Sequence, residues 1–334
     1  MIGPEEVLRA QARLGERVHR TPLLRSSLLD AWLGHRFVFK AENLQKIGAF
    51  KARGGLNTLL SLEERGELPH RVVAHSSGNH AQAAAWACAG LEIPCTVFMP
   101  EGASAIKRLA TEAYGARVEL AGTRQEAEAR SAAMEREGAF LLHPYDLDEV
   151  VAGQGTACLE ALQDGAAPTA VFTPCGGGGL LSGSVLATRA VAPGCAIFGV
   201  EPVYANDAAR SYRAGEIFRW DTAPRTLADG VQTLSLSERT FHYVRQSDGV
   251  LEVEESEIVY WTQWLTHLLK VTLEPTSVLG MAGAFRWLQG RDPGETVLVI
   301  LSGGNLSAAT RERVWSRDVL ETPPRPGLEI PPWP

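Results

Sequence analysis

The sequence predicts an α/β protein built from two open, mostly parallel sheets with a cleft between them. Three observations lead there. Apolar runs of strand length alternate with helical patterns through most of the chain, the rhythm of βαβ units whose strands are covered on both faces. Three glycine-bearing segments stand where such runs meet helices, and ligands of open sheets bind beyond the carboxyl ends of the strands. The 334 residues, 45% hydrophobic and 21% charged, suffice for two domains with sizeable cores.

The elements follow in order. An extended apolar stretch, Phe37-Val38-Phe39, leads towards a helix that opens with small residues after Lys51. Residues 71–75 read as a strand, 81–90 as a helix, 94–99 as a strand, 105–114 as a helix and 117–120 as a strand. A charged helix over 125–137 and a strand over 139–142 close this set. A second set runs through a helix over 149–163, a strand over 169–173, a helix from 180, and strands over 195–200 and 296–301. A large domain from 1–65 and 148–320, with a small domain of 66–147 inserted in it, accounts for the alternation. Residues 321–334, rich in proline, are expected to form an irregular tail.

Bulk properties exclude several classes. The formal charge is −7 with no long basic run, so neither nucleic acid nor an anionic membrane is an expected partner. No apolar stretch reaches the roughly 18 residues that span a bilayer. The first residues lack the pattern of a signal peptide, and a cytoplasmic location is the default. The five cysteines lack metal-ligand spacing and read as reduced, packed thiols. No HxxxH or HxxH pair suggests zinc.

Three junctions and one lysine carry the chemistry. Lys51 stands between an apolar strand and a helix, where an amine can be desolvated, lowered in pKa and aimed for Schiff-base formation; alone it would be an ordinary solvated lysine. Gly176-Gly177-Gly178-Gly179-Leu180 follows a strand and opens a helix. Backbone N–H groups there can converge on a phosphate, or the run is a tight turn. No Gly-Lys-Ser/Thr follows, so it is not a Walker loop. Ser76-Ser77-Gly78-Asn79-His80 occupies the same kind of junction and can bind a carboxylate and donate to a ring hydroxyl, or cap its helix. Ser302, ending the strand over 296–301, either faces a ring nitrogen or caps a following helix.

An aldehyde for Lys51, a phosphate for the glycines, and a ring oxygen and nitrogen for Asn79 and Ser302 describe pyridoxal phosphate (PLP). On these segments, and on Ala152 to Thr156, Glu201-Pro202, Ala228 to Val231, Glu274-Pro275-Thr276 and Ser302 to Asn305, the chain resembles the fold type II PLP enzymes, specifically threonine/serine dehydratases and serine racemases. The resemblance runs from Thr21 to Asn305. It implies a tryptophan synthase β-subunit-like fold and a homodimer or homotetramer. Phe50, Lys51, Asn79, Gly176 to Leu180 and Ser302 would hold the cofactor; Ser76 to His80 would hold an amino-acid substrate. Lys51 would act as Cα base, and Ser77 matches the serine that racemases use on the opposite face. A neutral Ser302 at the ring nitrogen does not enforce its protonation as an aspartate would, which favours prompt elimination. The implied reaction is conversion of L-threonine and/or L-serine to a 2-oxo acid and ammonia. Serine racemisation, or elimination from another β-hydroxy amino acid such as 3-hydroxyaspartate, is the alternative.

The resemblance also implies a divalent site at Glu201, the Ala205 carbonyl and Asp207, suited to Mg²⁺ and equally to Mn²⁺ or Ca²⁺; the competing reading is an acidic loop in which Asp207 caps the next helix. Two departures stand out. Ala49 replaces the serine common two residues before the lysine, and Ser277 stands where glycine or alanine is usual and is expected to narrow the pocket. No C-terminal regulatory domain of the long threonine dehydratases is expected. Competing classes are a PLP-dependent β-replacement enzyme, whose lysine and asparagine segments differ, and a phosphometabolite-binding module, which would leave Lys51 without purpose.

Overall fold

The computed structural model describes residues 1–332; positions 333–334 of the tail lie outside the described residues. Helix α1 (Glu5–Leu14) precedes a short strand β1 (Leu23–Leu24), helix α2 (Ser27–Leu33) and strand β2 (Arg36–Ala41). Two 3₁₀ turns then carry the chain to helix α3 (Lys51–Glu64). The strand-to-helix junction at Lys51 is thus a nine-residue connection rather than a tight turn, and Lys51 is the first residue of its helix.

The next stretch forms a four-stranded, all-parallel sheet. Strand β3 (Val72–His75), helix α4 (Asn79–Ala89), strand β4 (Cys95–Pro100), helix α5 (Ala105–Ala113), strand β5 (Arg117–Ala121), helix α6 (Arg124–Arg136) and strand β6 (Phe140–Leu141) follow one another. Their order in the sheet is β5-β4-β3-β6.

The chain then returns. Helix α7 (Asp148–Gln163), strand β7 (Ala170–Pro174), helix α8 (Gly179–Val191), strand β8 (Ala196–Pro202) and helix α9 (Asp207–Ala214) lead through a long connection to helix α10 (Glu238–Val244). Strand β9 (Gly249–Val253), helices α11 (Glu255–Leu269) and α12 (Leu279–Leu288), strand β10 (Thr296–Leu301) and helix α13 (Ala308–Val314) complete the fold. The six-stranded sheet runs β1-β2-β10-β7-β8-β9 and is parallel except for β1. Its central strands, such as Val297-Leu298-Val299-Ile300-Leu301, are buried on both faces, which is why they read as unbroken apolar runs. One core lies against α2, α11 and α12, the other against α1, α7, α8 and α10.

Close helix contacts fix what will become the site. A Cβ on Gly153 of α7 would stand 2.7 Å from Gly54 Cα of α3, and one on Gly155 would stand 2.5 Å from the Gly183 carbonyl of α8. Glycine lets α7 touch both neighbours at the backbone, so the first turn of α3 is seated against α7, which in turn packs on α8, the helix that follows the tetraglycine run. The tail contains no helix or strand among its described residues, yet Leu328 and Ile330 pack on the core and Tyr260 Oη donates to the Thr322 carbonyl at 2.8 Å.

Candidate active site

A cavity of 410 Å³ opens between the two sheets. Its walls include Phe50, Lys51, Ser76 to His80, Gly177 and Ser302, so residues from every junction singled out in the sequence meet in one place. Gly176, Gly178, Gly179 and Leu180 frame the start of α8 beside it without lining it. Glu201, Ala205 and Asp207 lie outside it.

Lys51 emerges from the first turn of α3. Its Nζ donates to the Pro144 carbonyl at 2.7 Å and lies 5.1 Å from the centre of the Phe50 ring. Burial lowers its pKa to about 8, because a low-dielectric wall disfavours the ammonium. A far larger fraction of the amine is therefore neutral near physiological pH than for a solvated lysine.

The tetraglycine run is shaped by what packs on it. A Cβ at Gly177 would fall 2.2 Å from the Tyr145 ring, and Gly178 adopts a left-handed backbone (φ 85°) as the N-cap of α8. No side chain caps this helix, so its first N–H groups are left for an anion. A cradle that a Cβ would fill, a desolvated amine and the buried Ser302 hydroxyl fit a phosphorylated aldehyde such as PLP.

The α4 junction is held from below. Asn79 Oδ1 accepts from Asn305 Nδ2 at 2.8 Å, and Asn79 Nδ2 donates to both oxygens of Glu274 at 2.9 and 3.1 Å. This orients the amide at the cavity wall. Neither Ser77 nor Asn79 caps α4; Gly78 is the N-cap without a side-chain bond. Ser76 Oγ accepts from Gly78 N at 3.1 Å, whereas Ser77 Oγ has no partner among the described residues. The His80 ring is turned away, with Nε2 donating to the Leu142 carbonyl at 2.7 Å and burial keeping it neutral. Only its backbone can serve a carboxylate.

Ser302 is 1% exposed, with Oγ 3.3 Å from Ser277 Oγ. Capping by Ser302 is overturned, since Ser307 caps α13. The expectation that Ser277 narrows the pocket is also wrong. Its hydroxyl accepts from Gly303 N at 2.7 Å and is wholly buried behind Ser302, so it braces the end of β10. Ala49 is buried too, bridging Gly303 outside the cavity.

Several wall residues were missed. Lys107 of α5 donates to Asp229 at 2.7 Å across the cleft. Burial pulls Lys107 down, but the Asp229 and Glu274 carboxylates outweigh it and raise the net pKa. Glu274 is pushed up to about 7 by burial first and by Asp229 second. His75 and His143 are also held down by burial, His143 at about 4. Arg124, at the start of α6, donates to the Gln232 carbonyl and forms no ion pair among the described residues. The sequence signal was that Asp229 and Glu274 belong to segments already noted; the others depend on contacts far apart in the chain.

Outside the cavity, Glu201 and Asp207 form a buried acidic pair, both 0% exposed. Glu201 caps α9, accepting from Ala208 N at 3.2 Å and Ala209 N at 2.8 Å, so the helix-capping role expected of Asp207 falls to Glu201. Both Asp207 oxygens are buried without a partner. Burial, then the charge of Asp207, raises Glu201 well above its usual range, and burial raises Asp207 to about 7. Orphaned carboxylate oxygens beside a buried Ala205 suit an all-oxygen cation site. No cluster of three His, Cys, Asp or Glu side chains able to hold a metal occurs among the described residues, so such a site has two carboxylates only. All five cysteines are buried and unpaired, as expected, and burial raises the Cys175 thiol. No helix is long and apolar enough to cross a membrane among the described residues.

Comparison with known proteins accords with this geometry. The L-threo-3-hydroxyaspartate ammonia-lyase of Saccharomyces cerevisiae is 46% identical over 90% of this chain and 92% of its own length. The serine racemase of Schizosaccharomyces pombe is 39% identical over 90% and 94%. Among solved structures, the T.th. threonine deaminase superposes with a TM-score of 0.85 at 43% identity, covering 92% of this chain and 99% of that one. The family model for pyridoxal-phosphate dependent enzymes matches residues 15–303, and the chain is a member of that family, with the type II fold.

Proposed function

We propose that the protein is a PLP-dependent ammonia-lyase that eliminates the β-hydroxyl of 3-hydroxyaspartate, giving a 2-oxo acid and ammonia. The observation that carries the acidic substrate is Arg124, a guanidinium on the cavity wall with no carboxylate partner among the described residues. The names of the relatives favour it over L-threonine and L-serine, which the sequence reading placed first.

When bound, PLP supplies an aldehyde for the substrate amine and a ring that delocalises charge from Cα. Lys51, Phe50, Asn79, Ser302 and the N–H groups of Gly176 to Leu180 would hold it. Ser76 Oγ, Ser77 Oγ and the backbone of Gly78 to His80 bind the α-carboxylate. Neutral Lys51 Nζ takes the Cα proton as general base. The hydroxyl leaves with a proton as water, and the released enamine tautomerises and takes up water to yield the 2-oxo acid and ammonia. The Lys107–Asp229 pair links the two walls of the cleft.

Racemisation is the second reading, supported by the unpartnered Ser77 hydroxyl in the same cavity as Lys51. A divalent ion held by Glu201, the Ala205 carbonyl and Asp207 would complete the acidic pair. The test is a panel of L-threo-3-hydroxyaspartate, L-serine and L-threonine assayed for 2-oxo acid and enantiomer exchange, with Lys51→Ala as control. The dicarboxylate should give the highest kcat/KM, and Lys51→Ala should remain folded but lose elimination by at least about a thousandfold. Preference for L-serine or L-threonine would overturn the substrate, and undiminished turnover by Lys51→Ala would overturn the base.

A further inference from the structure

Of the cationic side chains around the cavity one is left unused, and the wall also carries the Glu128 carboxylate, which forms no ion pair among the described residues. Lys107 is paired with Asp229, the wall histidines are held neutral by burial, and Lys51 and Arg124 have been assigned. Arg219 remains. It lines the cavity from the connection between α9 and α10 and forms no ion pair among the described residues.

Its segment is well fixed. Phe218 N donates to Ser211 Oγ at 2.9 Å, the Phe218 ring lies 3.6 Å from the Arg210 guanidinium, and Trp220 N donates to the Leu234 carbonyl at 2.9 Å. Arg219 Nη1 donates to Ser235 Oγ at 3.1 Å, which leaves its remaining N–H groups free. Arg124 reaches the same connection from the other side of the cleft, at Gln232. Two guanidinium groups from opposite walls are thus tied to residues three apart on one segment. A guanidinium cannot discharge by losing a proton, so each wall of the cleft presents a permanent positive charge with N–H groups to offer an anion.

The other anions already have seats. The phosphate has the start of α8 and the α-carboxylate has the start of α4. We infer that Arg219 binds the substrate's distal carboxylate together with Arg124, so that a dicarboxylate ties the two walls of the cleft together. This rests on the reading of the substrate as a 3-hydroxydicarboxylate. A planar fork suits a carboxylate, and an ammonium at the same place would keep the charge without the fork.

The test uses holoenzyme with Arg219→Ala and Arg219→Lys. For each, kcat/KM is measured for L-threo-3-hydroxyaspartate and L-serine, along with the dissociation constants of malonate and of PLP. In Arg219→Ala the ratio of dicarboxylate to L-serine should fall roughly 10- to 100-fold, the loss of one charge-assisted contact, chiefly through KM. Malonate should weaken comparably, PLP should stay bound, and Arg219→Lys should recover part of the loss. An unchanged ratio and unchanged malonate binding would overturn the inference. So would equal losses on both substrates with weaker PLP, which would place Arg219 at the phosphate. If wild type has no preference for the dicarboxylate, the substrate reading fails by itself; malonate binding that ignores Arg219 then overturns this inference as well.

Discussion

Two buried charge clusters in this molecule use opposite arithmetic. Behind the Lys51 helix, Arg53 and Lys40 meet Glu42 and Glu160, two cations against two carboxylates. Beside α9, Glu201 and Asp207 face each other with no cation among the described residues. In the first, Arg53 Nε donates to Glu42 at 2.7 Å, Nη1 to Glu160 at 2.7 Å, and Lys40 Nζ to Glu160 at 2.6 Å. Burial pushes Glu42 up, but Arg53 outweighs it and holds the carboxyl below its usual range. In the second, burial raises both carboxyls, and the charge of Asp207 raises Glu201 further. The balanced cluster is scaffolding that roots the first turn of α3, where Lys51 sits. The unbalanced one has no counter-charge among the described residues, and a cation is the proposed one.

The largest effect should come from unbalancing the first. Arg53→Ala leaves Lys40 alone against two wholly or nearly buried carboxylates and strips Glu42 of its ion-pair partner, and breaking such a pair costs about 3–5 kcal/mol. Urea unfolding should show that loss as a lower midpoint at constant slope. A loss below about 1 kcal/mol would mean that water reaches the site and the network is not dry.

Removing the proposed ion should come next. An ion present at roughly a hundredfold excess over its dissociation constant stabilises by about 2.7 kcal/mol. Chelation should therefore lower the melting temperature by roughly 5 °C, and Mg²⁺, Mn²⁺ or Ca²⁺ should restore it. The pH dependence has a definite sign. Asp207 titrates at about 7 in the folded chain, against about 3.9 unfolded. Its protonated form is the one the fold favours, so that contribution is intact below about pH 4 and is lost as pH rises through about 7. The chelated protein should lose stability over that window while the Mg²⁺-loaded protein does not. Scanning calorimetry at pH 5 and pH 8, with and without chelator, reads both; an indifferent protein has no ion there.

The contrast between the clusters also marks what the sequence revealed. Asn79, Ser302 and the tetraglycine run were legible because each closely follows a strand, where local pattern and chemistry coincide, and Lys51 because it opens its helix after a nine-residue connection from β2. The parallel strands were legible because burial on both faces leaves no polar alternation. Lys40 and Arg53 were not read as partners of Glu160, although a lysine inside an apolar strand is a signal of buried pairing; the partner is 120 positions away. Arg219 escaped for the same reason, as did Lys107–Asp229. Ser277 was misplaced because spacing cannot tell which side of β10 a neighbour packs against. Glu201 took the capping role expected of Asp207 because β8 ends pointing at the first turn of α9, a matter of packing geometry.

The smallest effect is the sharpest test of the comparison. Asp207→Asn keeps the shape of the side chain and removes one charge from the acidic pair. Without ion at pH 8, Glu201 then no longer opposes a second anion, and the folded state should gain. The gain is limited, because a carboxamide at this position still has buried polar atoms to satisfy, at about 1–3 kcal/mol each if unmet. A net stabilisation of about 1 kcal/mol in chelator is the expected balance. In Mg²⁺ the order should invert, since the variant has lost a ligand and wild type has regained its counter-charge. At pH 5 in chelator the two should converge, because wild-type Asp207 is then protonated and carries no charge to remove. Melting curves under the three conditions distinguish the readings. A variant less stable than wild type at pH 8 with chelator present would show that the Asp207 carboxylate is compensated by the protein itself, and the two clusters would then differ in residues but not in principle.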